Sequence, residues 1–273
     1  MHRLLFACGA VLLLCRPAVA QTSPEPTLIL TLFGGASTGH NLWDIPRQPL
    51  CMLQRSGSVY NCTSQYDTLD LSRDISPSVV FGASGTYFRS PHLGLEAEIL
   101  FLGFPFDDSC RGVFFNPDLA HMNEQICLNV GAASISSSAI SFSAGLVFRA
   151  SPRHAISPFA RVGFGIVTHS GGTLELSGAF LDDSGIVRSR SIIEDPQPKA
   201  TTLSVKASAG FTTRISPGYQ FRLEAHDAIV PLRRVIGIAN DLAQAPSASR
   251  TYHHLVLTMG LDVVLEKKRG RRY

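Results

Sequence analysis

A histidine beside a serine, and histidines close to acids, are the features of this sequence that could support covalent chemistry. The candidates are His169-Ser170, Glu224 with His226, and His253-His254. A serine becomes a nucleophile only if one histidine reaches both its hydroxyl and an orienting acid. Ser170, His226 and Glu224 are the set that could meet in this way. Gly171-Gly172 comes directly after Ser170, however, which is the composition of a strand running out into a connection. His226 and His254 read as hydrogen-bonded side chains inside a lumen or at an interface. No GxSxG, HExxH or phosphate-loop spacing occurs. The sequence therefore assigns no catalytic residue.

Beyond the first 20 residues four cysteines remain: Cys51, Cys62, Cys110 and Cys127. They form no CxxC pair and have no histidine at metal-ligand spacing, so neither a metal nor a cofactor is expected. Four cysteines allow three pairings. Spacing favours two local staples, Cys51 with Cys62 and Cys110 with Cys127, which an oxidising compartment permits.

Seven charges form the second set: Glu96, Glu98, Arg161, Lys206, Arg222, Glu224 and Asp262. Each sits in the polar phase of a segment whose other phase is apolar. Four acids facing three bases in a confined space would have to pair, because a buried unpaired ion is costly.

The chain that must position these residues is 273 long, 45% apolar and only 16% charged, against ~25% charged in ordinary soluble domains. Lys and Arg number 24 and Asp and Glu 21, too even a balance for a nucleic-acid surface. Residues 1–20 read as a secretory leader. His2 and Arg3 precede an apolar stretch too short to span a bilayer, and Ala18-Val19-Ala20 offers a cleavage site before Gln21. Residues 21–26 make a short N-terminal segment, and no later run is apolar and long enough for a membrane helix.

Period-two alternation dominates the rest of the chain. Eight segments show it, at 27–36, 78–88, 94–102, 139–149, 156–167, 203–214, 220–226 and 254–265. Most run about 9–12 residues, close to the ~9–11 that a tilted strand needs to cross a bilayer and above the ~5–6 usual in soluble sheets. Three connections, at 89–93, 150–154 and 215–218, are short and carry Ser-Pro, a turn signal. Those at 37–77, 103–138, 168–202 and 227–253 are long. Short turns at one rim and long loops at the other mark outer-membrane barrels. Both expected disulfides fall in the first two long loops.

By this pattern the chain resembles the small eight-stranded outer-membrane barrels of the OmpA-like kind, across residues 27–266. The last strand is the most specific part. Thr258, Gly260, Val263 and Leu265 fit the polar-x-Gly-x-x-apolar-x-apolar pattern that the barrel-assembly machinery reads in that family. Pro158-Phe159-Ala160-Arg161-Val162-Gly163-Phe164-Gly165 is similar to its aromatic and glycine strands. The sequence departs from the family at the end, where a basic tail, 267–273, separates that strand from the terminal Tyr273. The resemblance implies an all-β, antiparallel up-and-down transmembrane barrel.

Alternation then assigns the faces. An Arg or Lys facing lipid at mid-bilayer costs ~2–4 kcal/mol, and slipping a strand by one residue would turn its polar phase to lipid. The seven charges therefore face a lumen that eight strands leave just wide enough for side chains to fill. Asp227 breaks the phase and reads as an interface position or a bulge. The expectation is a non-enzymatic envelope protein with a salt-bridged plug and a structural or surface-interaction role. A narrow selective pore, a barrel enzyme acting on lipid or lipopolysaccharide, and a soluble lipocalin-like carrier are the alternatives. Expected partners are outer-membrane lipid, lipopolysaccharide and the assembly machinery. Arg188, Arg190, Arg233, Arg234 and Arg250 are read in the outer loops, where they could pair lipopolysaccharide phosphates. The apolar stretch 112–117 is read as an external loop.

Overall fold

The computed structural model describes residues 27–57, 59–114, 121–130, 136–152, 154–169, 172–197 and 201–266. The leader, the segment 21–26 and the basic tail lie outside these. In chain order the elements are β1 (Thr27–Ser37), β2 (His40–Ser56), β3 (Val59–Ile75), β4 (Ser78–Phe88), β5 (Leu93–Val113), α1 (Met122–Asn129), β6 (Ser136–Arg149), β7 (Ile156–His169), β8 (Gly172–Leu181), β9 (Val187–Gln197), β10 (Thr201–Ser216), β11 (Tyr219–Val235) and β12 (Ser247–Glu266).

Eight of the strands close a ring in the order β1-β4-β5-β6-β7-β10-β11-β12, every neighbour antiparallel. β1 pairs with β12 from Thr27↔Glu266 to Ser37↔Val256, so the ring has no free edge. The eight alternating segments are its staves. The first and last strands meet at the rim that carries the three short turns.

The faces obey the alternation. Leu32 is 71% exposed, Phe164 72% and Leu203 77%, and Leu95, Leu257 and Met259 join them on the outside. Thr31, Thr86, Ser84, Ser204, Thr212 and Thr258 are buried on the inside. This is the reverse of a soluble barrel.

Three of the four long connections carry strands or a helix of their own, which corrects the expectation of loops there, whereas 236–246 between β11 and β12 is a loop. β2 and β3 form a hairpin within 37–77, and β3 continues the sheet by pairing with β5 from Ile75↔Phe106 to Thr68↔Val113. β8 and β9 form a second hairpin, and α1 lies between β5 and β6. Their inner faces share one apolar core with the outer end of the barrel: Trp43, Ile45, Leu69, Leu71, Ile126, Leu176 and Ile193 are all nearly inaccessible. At about 1.5–3 kcal/mol of gross burial for each large side chain, this core is what folds the connections into a head.

Polar latches join its parts. The Gln48 amide donates to the Ala239 carbonyl (3.1 Å) and accepts from the Ala239 N–H, as a strand would. Tyr252 Oη donates to the Leu42 carbonyl at 2.6 Å, and Asn123 donates to Asp67 at 2.8 Å. Arg73 forks onto Asp108 at 2.6 and 2.8 Å and stacks on Trp43 and Phe106. Arg188 and Arg190 thus lie on β9, Arg233 and Arg234 on β11, and Arg250 on β12, rather than in loops. Gly112 and Val113 end β5, and Phe114 packs on the core; residues 115–117 lie outside the described ones.

Candidate functional site: the lumen charge network

Strands β5, β7, β10, β11 and β12 carry the seven charges into the lumen, each by its inward phase. All but Arg161 are buried as whole residues, and the Arg161 side chain is 8% exposed. Room comes from the neighbouring strand. Glu96 stands opposite Gly145, Lys206 opposite Gly163, Glu224 opposite Gly210 and Arg222 opposite Gly260. A side chain at Gly145 or Gly210 would drive into a backbone carbonyl of the next strand.

The structure brings all seven into one network. Arg161 bridges Glu96, Glu98 (3.0 Å) and Glu224, and its Nε donates to Ser208. Lys206 holds the other oxygen of Glu98. Arg222 reaches Asp262 at 3.0 Å, Glu96 at 3.5 Å and Glu224 at 3.8 Å. Thr31 donates to Asp262 (2.8 Å) and Thr86 to Glu96 (2.7 Å). Each acid has at least one cation, so burial does not leave an isolated charge.

Further tiers fill the lumen on either side. Toward the short-turn rim, Ile29, Phe88, Val147 and Phe159 form an apolar layer. Arg149 lies there too, with its guanidinium 3.6 Å from the Phe88 ring centroid. Sequence reading missed it, although it continues the inward phase of Ser141 and Ser143. Toward the head, beyond His226, stand His40, His169 and His254 around Phe104: His40 to His254 is 4.7 Å and Phe104 to His254 5.3 Å between ring centroids.

This tier decides how the histidine candidates are placed. His226 Nδ1 is 3.9 Å from Glu224 Oε1, the same oxygen that Arg161 holds. Neither nitrogen of His226 meets a protein hydrogen-bond partner, contrary to the expectation of a hydrogen-bonded side chain there, and the Nε2 of His254 meets none either. Glu224 is thus committed to cations rather than to orienting an imidazole. Ser170 lies outside the described residues. His253 faces outward and its Nδ1 lies 2.6 Å from Asp227 Oδ2, so the residue that breaks the phase is paired with a second polar group on the outer wall. Among the described residues no cluster of three or more His, Cys, Asp or Glu has metal-binding geometry.

In the last strand, Thr258 and Gly260 face inward and Val263 and Leu265 outward, and Thr258 Oγ1 donates to the Glu224 carbonyl. The cysteines bond as Cys51–Cys62, within the β2–β3 hairpin, and Cys110–Cys127, which ties β5 to α1.

No protein-family model matches the chain, and no curated protein matches its sequence significantly. Among solved structures it is similar to the outer membrane protein OprG from Pseudomonas aeruginosa, at 9% identity and TM-score 0.46, over 90% of this chain and 98% of that one. It is similar to Ail, the attachment invasion locus protein of Yersinia pestis, at 12% identity and TM-score 0.35, over 88% and 99%. The outer membrane protease OmpT from Escherichia coli aligns at 10% identity and TM-score 0.36, over 91% and 99%.

Proposed function

We propose that this chain is an integral outer-membrane barrel whose lumen is a closed structural plug and whose folded head is the working surface. One observation carries the reading: the seven networked charges are inside the ring and a broad apolar belt is outside it. Hydrocarbon requires every backbone donor and acceptor to be satisfied within the protein, and a closed ring does this. An apolar belt this broad on a monomer marks a surface meant to be covered. The role is envelope-structural or surface-interacting, and non-enzymatic. Lipid and lipopolysaccharide cover the wall, and Thr258, Gly260, Val263 and Leu265 are the residues that the assembly machinery reads during insertion.

Gel mobility of the membrane fraction tests this. The unheated folded protein should migrate differently from the boiled one and should resist carbonate extraction. A soluble protein with a single mobility would overturn the reading in favour of a carrier barrel.

A further inference from the structure

The two disulfides differ in their surroundings. Cys51 is buried, whereas Cys62, its partner, is exposed. Arg190, on β9, lies against the sulfurs: its Nη2 is 2.8 Å from Cys51 Sγ and 3.4 Å from Cys62 Sγ, and its Nη1 donates to the Cys51 carbonyl at 2.8 Å. Among the described residues no carboxylate forms a salt bridge with Arg190. Burial alone holds its guanidinium below the ordinary arginine range. A half-buried cation without an anion is an unusual neighbour for a neutral disulfide, because such a charge is costly unless compensated. It would be compensated if Cys51 were a thiolate.

Cys62 also borders an open groove of about 720 Å³ between the β2–β3 hairpin and β9. Tyr60 and Phe180 line it, packed edge to face. Arg188, whose Nε is held by Asp182 at 2.8 Å, and Asp241 place opposite charges on the same groove. The groove therefore has room and charge for a small molecule that bears both carboxylate and ammonium groups.

From this arrangement we infer that Cys51–Cys62 is an exchangeable disulfide and Cys62 a site of reversible thiolation by small zwitterionic peptide thiols. The thiolate of the incoming molecule attacks the exposed Cys62 Sγ. A new sulfur–sulfur bond forms to Cys62 as the Cys62–Cys51 bond breaks, and the electron pair leaves on Cys51 as a thiolate beside Arg190. No net oxidant or reductant is consumed. Exchange runs faster when the leaving thiol has a lower pKa, and a neighbouring cation lowers it. The groove chooses the thiol, Arg190 chooses the leaving sulfur, and Asp241 and Arg188 hold the ends of the ligand. Reversal by attack of Cys51 on the mixed disulfide restores the staple. The Cys110–Cys127 bond, with Cys127 buried, is the internal control.

The experiment treats the folded full chain in lipid vesicles with reduced glutathione, alkylates the freed thiols with iodoacetamide at intervals, and maps both by mass spectrometry. The expected result is a glutathione adduct on Cys62, alkylation of Cys51, and an intact Cys110–Cys127. Arg190→Gln should slow adduct formation about tenfold, and Arg190→Lys should restore most of the rate. Cysteamine, which lacks a carboxylate, should react more slowly than glutathione. Adduct on Cys51, equal exchange at both disulfides, or an Arg190→Gln rate equal to wild type would each overturn the inference. If Arg190→Gln does not fold, the position of the adduct in the wild-type chain still decides it.

Discussion

Arg222 meets three acids, and its loss has a defined consequence. Asp262 is its nearest partner and is wholly buried. Arg222→Leu should cost about 3–5 kcal/mol, mostly the penalty of an abandoned buried acid. Arg222→Glu should cost more, and combining it with Asp262→Arg or Glu96→Arg should recover part of the loss in urea unfolding from vesicles. Combining it with Glu98→Arg should recover nothing, because Glu98 is held by Arg161 and Lys206. Recovery by Glu98→Arg alone would show a differently wired lumen. His40 makes a second prediction at this scale. It begins β2, outside the spanning strands, stacked on Tyr252 and edge-on to His254. Burial holds its imidazole below the ordinary 6.5, with Asp74 opposing. The unfolded chain thus binds a proton where the folded chain does not. The stability of the site is complete above 6.5 and is lost as pH falls below it. Protease digestion of the head should accelerate on acidification through that value, and His40→Phe should flatten the response. An equally steep response in His40→Phe would assign the pH dependence elsewhere.

At the scale of elements, the ring strands were legible because their two faces are constrained differently. An apolar outer wall and a packed polar lumen impose strict alternation, and Leu255, Leu257, Met259 and Leu261 on β12 show it without interruption. Leu257→Arg should therefore cost about 2–4 kcal/mol by placing a cation in hydrocarbon. A harmless Leu257→Arg would mean that this wall does not face lipid. Gly210→Val is predicted to cost at least as much as ordinary overpacking, about 1–3 kcal/mol, since its added carbon meets the Leu223 carbonyl. The head was not legible, for reasons visible in its strands. β2 slips register between Asn41 and Trp43, Ile45 and Gln48, and Cys51 and Leu53, so its apolar residues never keep one phase. Arg47 takes a positive φ at one of these bulges, and its N–H turns to Asp70 instead of the ladder. β3 does alternate, but one of its inward residues is Arg73, which reads as solvent-facing until Asp108 and Trp43 are placed around it. α1 opens on His121 with no side-chain cap. The seven inward charges were readable from phase alone. Their partners were not, because pairing across a lumen depends on strand heights that only the closed ring fixes.

At the scale of the whole molecule, filled tiers and a locked head lead to one expectation about transport. An ion entering from the short-turn rim meets Ile29, Phe88, Val147 and Phe159, then the bridged acids and bases, then the histidine tier, and then the apolar core of the head. Passing the second tier requires breaking ion pairs already in low dielectric, where removing one partner costs about 3–5 kcal/mol. Passing the last requires opening a core shared by β2, β3, α1, β8 and the outer ends of the ring strands. Gln48, Tyr252 and Asn123 tie β2, β3, α1, β12 and the 236–246 loop together by direct hydrogen bonds. Purified protein in planar bilayers should accordingly show little or no steady conductance. Arg161→Ala removes the hub of the charge tier but leaves both apolar tiers, and it should raise conductance only slightly while lowering stability. Replacing residues 41–73 by a short flexible linker removes much of the outer core and should by itself leave conductance low as well. Only the two changes together should produce appreciable current. Large, ion-selective currents from the unaltered protein would reject the plug and establish the bridged acids and bases as the filter of a pore.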